Sequence, residues 1–575
     1  MGKDNSVYGY YLILLGGTGA RCGEIFVHMC ANGYFAGSSI HMLYIDSDED
    51  NGNAQAFRKL VDLYKDCRSR YHNNASPIPC FFQTDITLRT VNPVTDKMIF
   101  RDIANLGQTD VADIRAANAL MRALYSDEEC ATKISDGFFA RPNVGAALFS
   151  AKIDEIMAGL LRDIYISQQD LKKVKIFMIG SLFGGTGASS LPTISRYLKR
   201  KLYAESTDQL IGDKLKIGGC MALPYFSFSR EKHKNETDVD DVEIEANKFA
   251  IKTRSALEYY KKVDSNSEHK TFDSLYFLGH DGHDVRGIYN TGGSGQRNMP
   301  HIVEFYAAMA AVTFFETSAE GRFFAVVPES GITWSDFYRN KWCFFHFYVM
   351  MRFSVVLHSL ILEELFDYTD SNKLRKKAKN IPWFYDFLDG KDKSKDSDKN
   401  KDFDASKLFD YFKSISSYCS EYVRWFAELN LKSIDEQTDS SLREQIGRMG
   451  KEDSRVDYLS LFSPEILFRQ YINDMIRTGR PVDYIEHKKD YDAKYRKNLR
   501  YIREHFSSLE KRNVFTDLDT GRITIENIWT RLSDLGYRNL LLKENLFKDI
   551  AQVESKTMAE GVKNLLNAIY VACMF

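Results

Sequence analysis

The residues with the clearest chemical purpose are the run Gly184-Gly185-Thr186-Gly187-Ala188-Ser189. An apolar, strand-like stretch at 174–179 precedes it, and a helix-like pattern (Leu191, Ile194, Leu198) follows. A strand, a glycine-dense turn and a helix start can surround an anion with backbone N–H groups. Glycine lets the main chain approach closely, and the helix dipole adds partial positive charge. The turn contains no lysine, so it is not the GxxxxGK[ST] loop of Walker ATPases. Phosphates here must be held by main-chain amides, hydroxyls such as those of Thr186 and Ser189, and a cation.

A second glycine turn, Gly16-Gly17-Thr18-Gly19-Ala20-Arg21-Cys22-Gly23, follows the apolar run 10–15 and opens a helix near Ile25. It misses the strict GxGxxG spacing, and a Rossmann-type dinucleotide site accounts for it as readily as a mononucleotide site. Gly17, Gly19, Arg21, Cys22 and Gly23 are candidate nucleotide contacts, with tight strand–helix packing as the alternative. Arg21 can offset phosphate charge, whereas Cys22 reads as a small packing residue rather than a nucleophile. Asp46 and Asp48 end the run 40–45 on an extended chain, which points both side chains the same way. Magnesium takes one or two carboxylates beside phosphates, so these two are the candidate metal ligands; a solvated acidic turn is the competing account. Asn143 either caps a helix starting near Val144 or faces a terminal phosphate. The His and Asp residues of 279–284 are ligand types, but a polar loop explains them better.

Strand-like runs at 10–15, 40–45, 174–179, 215–223, 273–279 and 322–327 alternate with helical patterns at 147–165, 190–203, 240–262 and 300–318. That alternation predicts an α/β domain with a mostly parallel sheet over 1–340. Beyond it, glycine becomes sparse and helical patterns dominate, predicting a helical region over 341–575. The Lys/Asp-rich stretch near 389–404 has almost nothing apolar and is expected to be a disordered loop. The basic, tyrosine-containing tract 487–503 has near-helical spacing of Tyr491, Tyr495, Leu499 and Ile502, as an amphipathic helix requires.

A formal net charge of −2 argues against a strong global pull towards nucleic acid or anionic membrane. The nine cysteines form no CxxC pair, which suits a reducing compartment better than a disulfide framework. The stretch 342–362 is interrupted by His346, Arg352 and His358, so it is expected to be a buried helix rather than a membrane span. With no signal-peptide pattern after Met1, a cytoplasmic location is expected.

Taken in chain order, these segments resemble the tubulin/FtsZ superfamily, and specifically its divergent prokaryotic members. The resemblance covers roughly the first 340 residues and centres on Gly184–Ser189, similar to the family's glycine-rich signature loop, with Pro192 in the following helix. Gly19–Glu24 resembles the first nucleotide loop, Tyr44–Asp48 the second, near the magnesium, and Arg141–Gly145 the third, which senses the terminal phosphate. The stretch 217–228 is similar to the strand after the signature loop, and 292–304 to the entry to the central helix. The resemblance implies a Rossmann-like GTPase domain that binds GTP and Mg²⁺, self-associates, and hydrolyses nucleotide at a site shared between subunits. Asp336 stands where the family supplies a catalytic carboxylate to the neighbouring subunit, although FtsZ has two there. No residue selects guanine by itself; Asn247 and Asn298 are the side chains to test. The helical C-terminal region departs from the family and is the expected contact for a protein partner. A scaffold that binds nucleotide without hydrolysis, or none, and a dinucleotide-dependent enzyme both remain open.

Overall fold

The computed structural model describes residues 8–48, 50–71, 81–94, 98–106, 110–138, 142–168, 173–204, 215–225, 227–229, 249–265, 271–279, 286–288, 293, 296, 298, 300–316, 347, 350, 353–354, 414–415, 417–419, 421–422 and 425. The chain divides into two compact units. The first comprises Met1–His28, Gly37–Val61 and Thr84–Thr333; the second comprises Met29–Ala36, Asp62–Gln83 and Trp334–Phe575.

The first unit is α/β. In chain order the elements are β1 (Tyr8–Leu15), α1 (Gly16–Ala31), β2 (Ser39–Ile45), α2 (Gly52–Tyr71), β3 (Asp85–Val91), α3 (Val111–Leu124), α4 (Asp127–Ala131) and α5 (Pro142–Gln168), with the ends of α1 (from Met29) and α2 (from Asp62) assigned to the second unit. There follow β4 (Lys173–Ser181), α6 (Gly185–Lys199), β5 (Leu215–Ala222), β6 (Ser227–Ser229), α7 (Phe249–Ser265), β7 (Ser274–Leu278), β8 (Arg286–Ile288) and α8 (Ile302–Glu316). Six strands form one all-parallel sheet in the order β3-β2-β1-β4-β5-β7; β6 and β8 make a separate parallel pair. Helical crossovers are what a parallel sheet requires, and helices on both faces make its inner strands apolar throughout. Tyr11, Leu12, Ile13 and Leu14 of β1, and Ile176 to Ile179 of β4, are fully buried.

β3 is the strand of the six-stranded sheet that the sequence pattern does not reveal, as it does not reveal the short β6 and β8. β3 lies at the sheet edge and alternates, with Ile86 buried while Asp85, Thr87 and Arg89 are exposed. A charged, half-exposed strand is how an edge avoids pairing with foreign chains, and it leaves no continuous apolar run.

Within α6, Pro192 lacks the N–H that would bond the Ala188 carbonyl one turn earlier. The Tyr260 hydroxyl of α7 donates to that carbonyl instead. α8 is apolar on nearly every face and is enclosed accordingly. Its small residues Ala307, Ala308 and Ala311 are buried, and at Gly218 of β5 a Cβ would lie 2.8 Å from the Phe314 ring.

The last carbonyls of α8 meet Lys175 of β4, whose Nζ donates to Phe315 O at 2.7 Å and Phe314 O at 3.2 Å. Burial, with Lys173 adding to it and Glu316 opposing it, lowers the Lys175 pKa from 10.5 to about 8. Between those values the unfolded chain holds a proton that the folded chain has released, so stability rises with pH. Relative to Lys175→Met, the wild-type chain is expected to gain about 2–3 kcal/mol from pH 8 to 10.5. Paired urea titrations across that range check the sign; a flat or falling difference refutes it.

The second unit is described at an aromatic cluster. Phe82, at φ +60°, contacts Tyr64, Phe81 and Tyr418, and Phe81 contacts Phe353. Tyr418 in turn contacts Tyr422, which with Phe347 and Trp425 extends the cluster. The described residues between 347 and 425 are all helical, including Phe347, Met350 and Phe353 from the stretch expected to be a buried helix. The strand expected at 322–327, the loop near 389–404 and the tract 487–503 lie outside the described residues. Among the described residues no helix is long and apolar enough to cross a membrane.

Candidate functional site

The strand order changes direction between β1 and β4: β2 and β3 extend to one side, β5 and β7 to the other. At such a switch point the connections leaving the two central strands diverge and open a crevice at the carboxyl edge. Both glycine turns lie there, Gly16–Gly17 directly after β1 and Gly184–Gly185 after β4. They touch: Gly16 has φ +68°, which favours glycine, and a Cβ on it would sit 3.3 Å from Thr186 Cβ.

The other glycines divide into two groups. A Cβ at Gly19 would lie 2.8 Å from the Leu14 carbonyl carbon, and one at Gly23 2.5 Å from Leu14 Cδ1. These two seat α1 against β1. Gly187 likewise presses on Ser181, whose backbone O and N would be 2.5 and 2.6 Å from its Cβ, while Gly185 faces Phe138. Gly184 is the N-cap of α6 and provides no side-chain cap to its first N–H groups. Those donors and the helix dipole favour an anion at this end. Gly17 differs from all of these, because its Cβ would meet only side-chain amides, Asn53 Nδ2 at 3.4 Å and Asn51 Nδ2 at 3.7 Å.

Asp46, one residue past β2, reaches across to the second turn. The Thr186 hydroxyl donates to its Oδ1 at 3.0 Å, Ser47 N donates to the same oxygen at 2.9 Å, and the Tyr44 hydroxyl donates to Oδ2 at 2.9 Å. Burial, strengthened by the neighbouring Asp48 charge and opposed by these hydrogen bonds, pushes the Asp46 carboxyl up to about 6. With its proton committed to Asp46, Thr186 offers lone pairs, which suit a cation better than a phosphate oxygen. Among the described residues no three His, Cys, Asp or Glu side chains surround one point. Asp46 and Asp48 are both buried, and one or two carboxylates with a hydroxyl are what a largely hydrated Mg²⁺ beside phosphates requires. The donor set therefore fits that ion.

Asp48 also begins a row of bonds to the segment ahead of α8. Its Oδ2 accepts Gly293 N at 3.0 Å and Asn51 Nδ2 at 3.4 Å. Asn51 Nδ2 donates to Gln296 Oε1 at 2.8 Å, and Asn53 Nδ2 donates to Asn298 Oδ1 at 3.2 Å. In return Asn298 N donates to Asn53 Oδ1 at 2.9 Å, while Gly52 N and Asn53 N donate to the carbonyls of Gly293 and Gln296. Asn51 doubles as the N-cap of α2, its Oδ1 accepting Asn53 N at 3.0 Å.

Arg21 lies beyond this row, fully enclosed. Its Nε donates to Glu304 Oε1 at 2.5 Å, Nη2 to the Tyr225 hydroxyl at 2.6 Å, and Nη1 to Asn298 Oδ1 at 3.3 Å. Tyr225 donates in turn to Glu304 Oε1 at 2.6 Å, and Glu304 Oε2 accepts His301 N at 2.9 Å. Burial alone would lower the arginine's pKa, but Glu304 and Tyr225 raise it overall, so the charge is permanent. Its guanidinium is thus engaged by Glu304 of α8, Tyr225 at the β5 exit and Asn298 of the amide row. Cys22 beside it is fully buried, and burial pushes its thiol well up, as expected of a packing residue.

Of the remaining sequence candidates, Ser189 spends its hydroxyl inside α6 on the carbonyls of Gly185 and Thr186. Asn143 is exposed in the first turn of α5, and that turn packs on α6 where Gly145 meets Ser189. Asn298 joins the amide row and Arg21, while Asn247, Arg141 and Asp336 lie outside the described residues. Sequence reasoning does not single out Tyr44, Asn51, Asn53, Tyr225 or Gln296. The one signal for them is Asn51-Gly52-Asn53 opening a helix just after the acidic pair. No protein-family model matches this chain, and no curated protein matches its sequence.

Proposed function

We propose that this chain is a tubulin/FtsZ-type nucleotide-binding protein that takes GTP with Mg²⁺ at the carboxyl edge of β1, β2 and β4. The observation that carries the reading is the meeting of both lysine-free glycine turns at the switch point, with Asp46, just past β2, bonded to Thr186. In this reading the first N–H groups of α6 and the Gly16–Gly17 turn hold phosphate oxygens. Thr186, Asp46 and Asp48 hold the hydrated cation, with Tyr44 fixing the Asp46 rotamer. A cation held there would neutralise part of the triphosphate's charge. The carboxylate that orients the attacking water comes from a second copy, with Asp336 as the residue the resemblance nominates. Self-association then completes the site, and the helical C-terminal region is left for a protein partner.

Turnover per chain, measured against protein concentration with GTP and ATP in parallel, tests this. A GTP rate that climbs with concentration is the expected result. Binding with no turnover at any concentration supports a nucleotide-binding scaffold instead. Asp46 just past β2 also suits a ribose-binding carboxylate of a dinucleotide site; NAD(P)H binding that GTP does not displace establishes that alternative.

A further inference from the structure

We propose that Asn51 and Asn53 form a latch with Gln296 and Asn298 that closes over Gly17 and must open before a triphosphate can enter. The inference rests on the nucleotide reading and concerns how access to that site is controlled. The space above Gly17 is the deciding observation. The two amide nitrogens stand 3.4 and 3.7 Å from where a Cβ on Gly17 would be, which leaves room for one methyl-sized group and not for a whole phosphate or sugar. A phosphate or sugar seated on this side of Gly17 has to displace both amides.

The amides are held by more than packing. Asn51 and Asn53 are 3% and 4% exposed, and each bonds a side chain roughly 245 residues further along the chain. Backbone bonds from Gly52 to Gly293 and from Asn53 to Gln296 run beside them. Asp48 is part of the same device, because the oxygen that accepts Gly293 N and Asn51 Nδ2 is one that a cation would claim. A magnesium–triphosphate therefore competes for the latch twice, by charge at Asp48 and by volume above Gly17. Opening also releases the carboxamide oxygen of Gln296 to accept a donor from the ligand, while Asn298 Oδ1 keeps its bond from Arg21.

The test uses the full-length chain and fluorescent mant-GTP and mant-ATP with Mg²⁺. The double variant Asn51→Ser/Asn53→Ala removes both side-chain links, and serine preserves the α2 N-cap. Gln296→Ala breaks the first link from the opposite side. The double variant should associate with nucleotide roughly ten- to thirtyfold faster than wild type and Gln296→Ala about fivefold faster, since each lost side-chain hydrogen bond is worth about fivefold. In wild type, Mg²⁺ with either nucleotide should strip hydrogen-exchange protection from the amides of Gly293 and Asn298. Saturable binding with unchanged association rates and unchanged protection at those amides overturns the latch and leaves the nucleotide reading standing. Failure of the wild type and both variants to bind either nucleotide overturns both.

Discussion

Glu304→Leu will destabilise the first unit by about 3–5 kcal/mol, because it takes the carboxylate away from a buried guanidinium. Arg21 and Glu304 have side chains only 5% and 1% exposed, and they meet at 2.5 Å. The Tyr225 hydroxyl and the Asn298 carbonyl still accept from Arg21 in the variant, but both are neutral and cannot balance its charge. The double variant Arg21→Met/Glu304→Leu should recover most of the loss, since an apolar pair of similar volume needs no desolvation of charge. Urea unfolding, followed by hydrogen exchange of the β1 and β4 amides, isolates this unit from the aromatic cluster of the other. A single-variant loss below about 1 kcal/mol would place the pair in a wetter setting than its burial implies.

The second large effect separates binding from folding. Gly17→Ala should leave stability within about 1 kcal/mol of wild type, as its methyl group reaches only ordinary contact with two amides. Nucleotide affinity should nevertheless fall roughly 30- to 1000-fold, the equivalent of one or two charge-assisted N–H···phosphate bonds. Gly187→Ala serves as the contrast. Its methyl group would lie 2.5 Å from the Ser181 carbonyl oxygen, so it must damage the fold whether or not the turn binds anything. Thermal unfolding and equilibrium titration of the two variants side by side decide the matter. A Gly17→Ala chain that melts as early as Gly187→Ala, or that binds as tightly as wild type, removes the cradle from consideration.

The same contrast between glycines marks how far the amino-acid sequence alone is legible. β1, β2, β4 and β5 can be read from it because strands buried on both faces leave continuous apolar runs, and the other edge strand, β7, because Leu275 to Leu278 are apolar although only half-buried or exposed; β3 cannot, because a solvated edge interrupts the pattern with Thr87 and Arg89. The glycine turns are legible as turns. Their division of labour is not, because a glycine that admits a ligand and one that seats a helix have the same side chain. Gly19, Gly23 and Gly187 are accounted for by close packing, which only the neighbouring Leu14 and Ser181 atoms reveal. The Arg21–Glu304 pair and the amide row are out of reach for a different reason. Their members are separated by 283 and 245 residues, and no local periodicity registers a bond across such distances.

The Pro192–Tyr260 relationship has a consequence for recognising distant kin. The tyrosine hydroxyl supplies the Ala188 carbonyl with the donor that proline at 192 cannot. A chain carrying an ordinary residue at 192 regains the bond within its own helix, and phenylalanine then does as well as tyrosine at 260. The two positions should therefore drift together through evolution, giving a covariation signature that survives after the glycine turns alone have become too common to discriminate.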